Sequence, residues 1–215
     1  LLQALGDETL NADLMPRVAT GETIASAVIT GDRGCWTESG VDISATALEG
    51  GWQLEGRGNY VLHAQNADVL IVIANTESGL AAYTVDPSDD AVQIEALPTL
   101  DRTLRIASVR FSGASAKQIN ATRPVWEAVS QALNLALVAL AGEQAGGAKK
   151  VLDFTVEYAK TRIQFGRQIG SFQAIKHMAA DLLVETESAI SAARHAASSL
   201  ADPSSHTHEA ISLAA

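Results

Sequence analysis

TRIQFGRQIGSFQAIKH, Thr161 to His177, interrupts a second half that is rich in alanine and otherwise reads as helix. Two glycines and two phenylalanines break the helical pattern, and Arg162, Gln164, Gln168 and Gln173 crowd polar groups among them. A plain connection between helices needs none of this. A guanidinium is a charge-assisted donor for a phosphate or a carboxylate, carboxamides supply neutral hydrogen bonds, and phenyl rings supply flat apolar surface. The same residue types also serve structure alone: glycines end helices, phenylalanines pack turns and an arginine pairs with a carboxylate. On residue types alone, both readings of the segment stand.

Other candidates are weaker. His206 and His208 in SSHTH are two residues apart, so on a helix they point to different faces and read as a solvated helix N-terminus. Cys35, the single cysteine, has no nameable base partner and reads as a small buried or half-buried residue. It also rules out an internal disulfide or a CxxC knuckle, and it suits a reducing, cytoplasmic setting. His177 reads as a packing and hydrogen-bonding residue. EGRG and AGGAKK contain glycine but match no phosphate loop. No metal site is expected.

The elements that must position such groups fall into two halves. At 215 residues the chain can bury a sizeable core, and 47% hydrophobic with 19% charged residues is ordinary globular composition. A net charge of −10 argues against general nucleic-acid or anionic-membrane binding, while leaving room for a local basic patch that takes one phosphate-bearing small molecule. The runs VLIVIA (69–74) and LALVALA (135–141) are shorter than the roughly 20 residues of a membrane span, and the N-terminus lacks the pattern of a signal peptide. No membrane association is expected.

Short segments of strand character recur at 23–30, 41–49, 52–56, 68–75, 80–86 and 104–113 with no helices between them. They predict an antiparallel sandwich or barrel, with a two-residue hairpin at Gly50-Gly51. A short helix over about residues 1–5 and a link, DLMPRVATGE, precede it. After about residue 120 the period becomes helical. One helix is predicted from Arg123 to Arg162, a second from Gln173 to Ala201, a break at ADPSSH, and a third from about Thr207. The expected fold is α+β, with the end of an N-terminal helical domain over 1–20, a β domain over 21–115 and an incomplete antiparallel helical bundle over 120–215. Both ends read as cut from something longer.

YAKTRIQFGRQIGSFQAIKHMAADL (158–182) resembles the acyl-CoA dehydrogenase pattern Y-A-x-x-R-x-Q-F-G-x-x-I-x-x-F-Q-A-I-x-H-x-x-A-D. LGDETLNADLMPRVATGE resembles that family's exit from its N-terminal helical domain. LEGGWQLEGRGNYVLHAQNADVLIVIA resembles its middle β segment, G-W-x-L-x-G-x-K-x-W-I-T-N-A-x-x-A-D. The resemblance implies a flavin enzyme that removes an α proton and a β hydride from an acyl-CoA thioester. It implies FAD lying between the β domain of one subunit and the bundle of its neighbour, and electron-transfer flavoprotein as redox partner. By resemblance, Arg162, Gln164, Phe165 and Gln173 touch the neighbour's FAD. Arg162 would meet the pyrophosphate, Gln164 and Gln173 would add neutral bonds, and Phe165 and Phe172 would lie toward the adenine.

The chain's own ring site departs from the pattern. Where the family reads T-E-P-x-x-G-S-D, this chain reads TGDRGCWT, so Thr30 fits but Gly31 replaces Glu, and Cys35-Trp36 replaces Gly-Ser. Tyr60-Val61-Leu62 replaces W-[IV]-[TS] and loses its hydroxyl, and Gly58 replaces Lys. The family's substrate-contacting D-x-x-R aligns with Asn134 and Leu137, and the helix-borne catalytic Glu of some members aligns with Ala136; Glu127 and Glu143 miss that position. No catalytic residue is assigned. Retained neighbour-facing residues beside an eroded ring site point to a subunit of a heteromeric enzyme. It resembles actinobacterial assemblies that act on steroid side-chain CoA thioesters in lipid β-oxidation. The alternatives are a homomeric dehydrogenase whose catalytic Glu lies further along the chain, and a noncatalytic scaffold.

Overall fold

A computed structural model describes residues 1–201 and 206–215. Its contacts divide the chain into two compact units, Leu1–Gln131 and Ala132–Ala215.

The first unit opens with helices α1 (Leu2–Leu5) and α2 (Glu8–Thr20). The expected link DLMPRVATGE is therefore mostly helix. Asp7 starts it by accepting the Leu10 backbone N–H at 3.0 Å. Pro16 lies inside α2 but is exposed, as is Ala12 one turn before it, so the carbonyl that Pro16 cannot serve has access to water. Strands β1 (Ala25–Val28), β2 (Ser44–Leu48), β3 (Gly51–Leu62), β4 (Val69–Thr76), β5 (Gly79–Val85), β6 (Val92–Ala96) and β7 (Ile106–Gln118) follow.

Five of them close a ring, β2–β3–β7–β5–β4, with β4 returning to β2 through Ser44 and Asn75. Asn75 Nδ2 donates to the Val41 carbonyl at 2.7 Å and helps to hold that seam. The ring's β2–β3, β3–β7, β7–β5 and β5–β4 pairs are antiparallel, as expected. Two pairings depart from that expectation: β1 and β2 both run parallel to β4. The long excursion between β1 and β4 brings β1 back in the same direction, which no two-residue hairpin allows. The β2–β3 turn is Glu49-Gly50, with Gly50 at φ 90°, and Gly51 is already in β3. It sits one residue earlier than the sequence suggests.

Alternate residues fill the barrel: Leu54 and Val61 from β3, Leu70 and Val72 from β4, Tyr83 and Val85 from β5, and Val109 and Phe111 from β7. β4 is buried on both faces from Leu70 to Ala74, hence its unbroken apolar run. Leu1, Leu2 and Met15 line a groove together with Ile71, on the outer side of that strand.

Helix α3 (Val125–Thr161) runs from the first unit into the second, where α4 (Gln173–Ala201) and α5 (Thr207–Ala214) follow. Residues 202–205, where the sequence predicts a break, lie outside the described residues. Small and branched side chains make the contacts among these helices: Ala141, Ala145 and Ala193 form one cluster, and Val138, Ala196 and Ile211 another. Much apolar surface stays uncovered, including Phe154 (72% exposed), Val151, Tyr158, Met178 and Val184. By length and composition α3 is long and apolar enough to cross a membrane, although Lys149, Lys150, Asp153, Glu157 and Lys160 charge its second half.

Candidate functional site

The segment between α3 and α4 is a miniature hairpin. α3 ends with Arg162 N–H donating to the Tyr158 carbonyl. The Thr161 hydroxyl turns back to the same carbonyl at 3.1 Å. Two short strands then pair, β8 (Ile163–Gln164) with β9 (Arg167–Gln168), leaving a two-residue turn of Phe165 and Gly166. Both turn residues have positive φ, 55° and 75°, the geometry of a type I′ turn. Gly166 adopts it freely. Phe165 does not, and its ring is also 91% exposed. A bulky residue is uncommon in the left-handed region, and the ring it holds out is covered by little of the chain.

Ile169 N–H closes the hairpin on the Arg162 carbonyl at 2.8 Å. One 3-10 turn, Ile169–Ser171, leads into α4. Gly170 is required there for space: a Cβ would lie 2.9 Å from the Ala159 carbonyl oxygen of α3. The two glycines thus have different reasons, one of backbone angle and one of close approach.

Gln164 and Arg167 face each other across the hairpin, and Arg162 lies at its base, where helix and hairpin meet. The Arg167 guanidinium lies 4.0 Å from the Phe172 ring centroid. Phe165 meets the same ring edge-on, at 6.1 Å and 88°. The Gln173 carboxamide stands 3.4 Å from His177 Nε2, one helical turn on. Among the described residues neither Arg162 nor Arg167 has a carboxylate within ion-pair distance, whereas Lys149, Lys160 and Arg57 all do. The connection therefore gathers Arg162, Gln164, Phe165, Phe172 and Gln173, and adds Arg167. The sequence signal for Arg167 was available: a two-residue turn at Phe165-Gly166 makes positions 164 and 167 opposite neighbours.

Thr30 belongs to the other unit and is 1% exposed. Its hydroxyl donates to the Cys35 carbonyl at 3.1 Å, inside a loop over residues 31–40 that satisfies itself. Gly31 N–H bonds the Gly40 carbonyl, Asp32 N–H bonds Asp42 Oδ2 at 3.1 Å, and Asn59 Nδ2 donates to Asp32 Oδ1 at 2.7 Å. Arg57 braces the loop from β3, lying 3.9 Å from Asp32 and donating to the buried Ser108 hydroxyl at 2.9 Å. Cys35 is exposed, against expectation, because these backbone bonds turn its side chain outward, where Sγ lies 3.7 Å from the Arg33 carbonyl. Trp36, Tyr60 and Leu62 are about half exposed around the same region. Tyr60 takes φ 58° and lays its ring over Gly34.

Asn134 is half-buried, and Ala136 and Leu137 are exposed on α3; none can abstract a proton, and Glu127 and Glu143 are exposed elsewhere on that helix. His206 precedes α5 with its ring 3.1 Å from Glu209, and Ser204 and Ser205 of SSHTH lie outside the described residues. Among the described residues no three His, Cys, Asp or Glu side chains are grouped to hold a metal ion.

A cleft of about 610 Å³ at one end of the barrel is lined by Trp52, Asp68, Asp86, Asp89 and Lys117 among others. Its aspartates are spent on backbone. Asp68 accepts Ile24 N–H, Asp86 accepts Ser88 N–H, and Asp89 accepts the N–H groups of Ala91 and Ser115, all within 3.0 Å. The Ser88 hydroxyl, and then its N–H, hold Asp86 below the usual carboxylate range, and the N–H groups of Ala91 and Ser115 do the same for Asp89. The cleft is a set of turns.

Residues 126–214 match the family model described as acyl-CoA dehydrogenase, C-terminal domain. The acyl-CoA dehydrogenase FadE34 of Mycobacterium tuberculosis is 33% identical over 209 residues, which cover 94% of this chain and 28% of that protein. The crystal structure of the ChsE4-ChsE5 complex from M. tuberculosis superposes with a TM-score of 0.77 at 26% identity, over 92% of this chain and 52% of that one. A variant of the Tcur3481-Tcur3483 steroid ACAD superposes with a TM-score of 0.80 at 25% identity, over 99% and 57%. The matched segment spans between 28% and 58% of the length of the curated relatives.

Proposed function

The chain belongs to the acyl-CoA dehydrogenase family, and from that premise we propose that it is a subunit of an FAD-dependent acyl-CoA dehydrogenase whose α3–α4 hairpin completes the cofactor site of a partner subunit. The observation that carries this reading is the hairpin. It carries Arg162 at its base and Gln164 on its first strand, Arg162 without a carboxylate partner among the described residues, and holds the Phe165 ring out in a left-handed turn. These groups fit a dinucleotide: the guanidinium can donate two parallel bonds to a diphosphate, the Gln164 and Gln173 carboxamides can meet neutral polar edges, and Phe165 and Phe172 offer flat surface to adenine. FAD, when bound, supplies the acceptor for the β hydride of the acyl-CoA thioester.

The chain's own half of such a site supports a division of labour between subunits. Thr30 is buried with its hydroxyl committed to Cys35, Leu62 stands where a hydroxyl is expected, and no carboxylate occupies positions 134, 136 or 137 of α3. A second subunit would then supply the base that takes the α proton. The two-component ChsE4-ChsE5 and Tcur3481-Tcur3483 structures among the similar folds favour a heteromer over a homotetramer. The second of these, a steroid ACAD, favours a steroid or other lipid CoA thioester as substrate. Exposed Phe154, Met178 and Val184 are the kind of apolar surface an oligomer covers. Electron-transfer flavoprotein as redox partner and a cytoplasmic setting complete the reading.

The test is the flavin content of the native assembly. One FAD per two chains is expected, falling sharply in Arg162→Ala. One FAD per chain would replace the heteromer with a homomeric enzyme. Flavin content unchanged by Arg162→Ala, or an assembly that is colourless with its partner present, would overturn the reading in favour of a scaffold.

A further inference from the structure

We infer that Arg167 is a second phosphate-binding cation on the hairpin, positioned by Phe172 to share with Arg162 the diphosphate of a dinucleotide cofactor. The inference rests on the cofactor reading of the hairpin and extends it to a residue that reading does not use. Cross-strand pairing sets Arg167 directly opposite Gln164, and the bond from Ile169 N–H to the Arg162 carbonyl puts Arg162 at the base of the same hairpin. Its guanidinium lies 4.0 Å from the centre of the Phe172 ring. That ring is itself held, by the backbone bond from Phe172 N–H to the Ile169 carbonyl and by the Phe165 ring at its edge. Stacking covers one face of the guanidinium and leaves its N–H edge free to donate, so less side-chain freedom is lost when an anion arrives. In a chain of net charge −10, two arginines five positions apart have no carboxylate partner among the described residues. The nearby Glu157 is bonded to Lys160. A diphosphate presents two anionic groups, and two guanidinium groups on one small hairpin match them in number and sign.

The experiment strips flavin from the native assembly and follows FAD rebinding, and competition by ADP, at low and high NaCl. Arg167→Ala and Arg167→Gln are expected to weaken FAD and ADP by about tenfold and to flatten the salt dependence. Arg167→Lys should restore the salt dependence and part of the affinity. If Arg162→Ala releases FAD while Arg167→Ala and Arg167→Gln match the native protein at both salt concentrations, Arg167 has no such role and the cofactor reading stands. Weaker binding with an unaltered salt dependence assigns Arg167 to packing alone and overturns the inference. If Arg162→Ala leaves binding unchanged, the cofactor reading falls and this inference with it.

Discussion

Asp42 occupies the space that a side chain at position 31 would need: a Cβ built on Gly31 would run into the Asp42 carboxylate and its Cβ. This relationship explains how the 31–40 loop folds without the glutamate that the family resemblance leads one to expect. The Asp42 carboxylate also receives Asp32 N–H, and Asp32 in turn receives Asn59 and faces Arg57. The loop is a packed alternative rather than a gap.

Restoring glutamate should therefore fail. Gly31→Glu and Gly31→Ala are expected to destabilise the protein by about 2 kcal/mol through overpacking. Combining Gly31→Ala with Asp42→Gly, which removes the clashing Cβ and carboxylate together, should recover part of that loss, a coupling that a double-mutant cycle in urea reads directly. Additive losses would show that the two residues do not compete for space.

Phe165→Asn separates stability from cofactor binding. Asparagine is the favoured first residue of a type I′ turn, so the hairpin should gain about 0.5–1 kcal/mol. Flavin retention should fall, because the exposed ring is lost. A thermal melt of the flavin-free assembly with a flavin assay on the native one checks both, and a variant that keeps its flavin removes Phe165 from the site.

Asp7 makes acid stability predictable. Its carboxylate is held below its ordinary range first by the Leu10 N–H and then by the Asn120 N–H, the latter at 2.9 Å. A group whose pKa is lowered by folding contributes fully above its unfolded value and loses that contribution as pH falls through the folded one. Asp7→Ala is expected to lose about 1 kcal/mol at pH 7. The gap to the native protein should narrow below about pH 4, as urea midpoints across pH 3–7 would show. A gap that stays constant would contradict the assignment.

Tyr83 offers the opposite case. It is fully buried in the barrel with its ring 5.4 Å from Trp52, and its hydroxyl has no hydrogen-bond partner among the described residues. Burial pushes its pKa up to about 12. Tyr83→Phe keeps the ring and removes the unpaired hydroxyl, so stability should be unchanged or rise by about 1 kcal/mol. Tyr83→Ala should lose about 3–5 kcal/mol. Chemical denaturation distinguishes the two, and a clear loss in Tyr83→Phe would mean that the hydroxyl has a partner.

Local chemistry was legible in the residues themselves. The change from period two to helical period separates β7 from α3, and α4 spans Gln173–Ala201 as its pattern indicates. The hairpin could be read because its glycines and phenylalanines act on their immediate neighbours. Helix α2 was hidden by Pro16, whose cost is eased where the residue and the turn before it are exposed to water. Strand β6, VQIEA, pairs only with β7, outside the closed ring, and its alternating face, Val92 and Ile94, is short and only half-buried against the barrel core.

Distance in the chain decided the rest. That β1 runs parallel to β4 depends on residues far apart in sequence. The outward turn of Cys35 depends on the bonds of the whole 31–40 loop, and the bar to a side chain at Gly31 depends on Asp42. Composition and spacing settle which groups can bind a phosphate or stack on a ring, since those are properties of single side chains. Whether Arg167 lies on Phe172, and whether Thr30 has a hydroxyl to spare, are properties of folded neighbours. Only packing in three dimensions creates them.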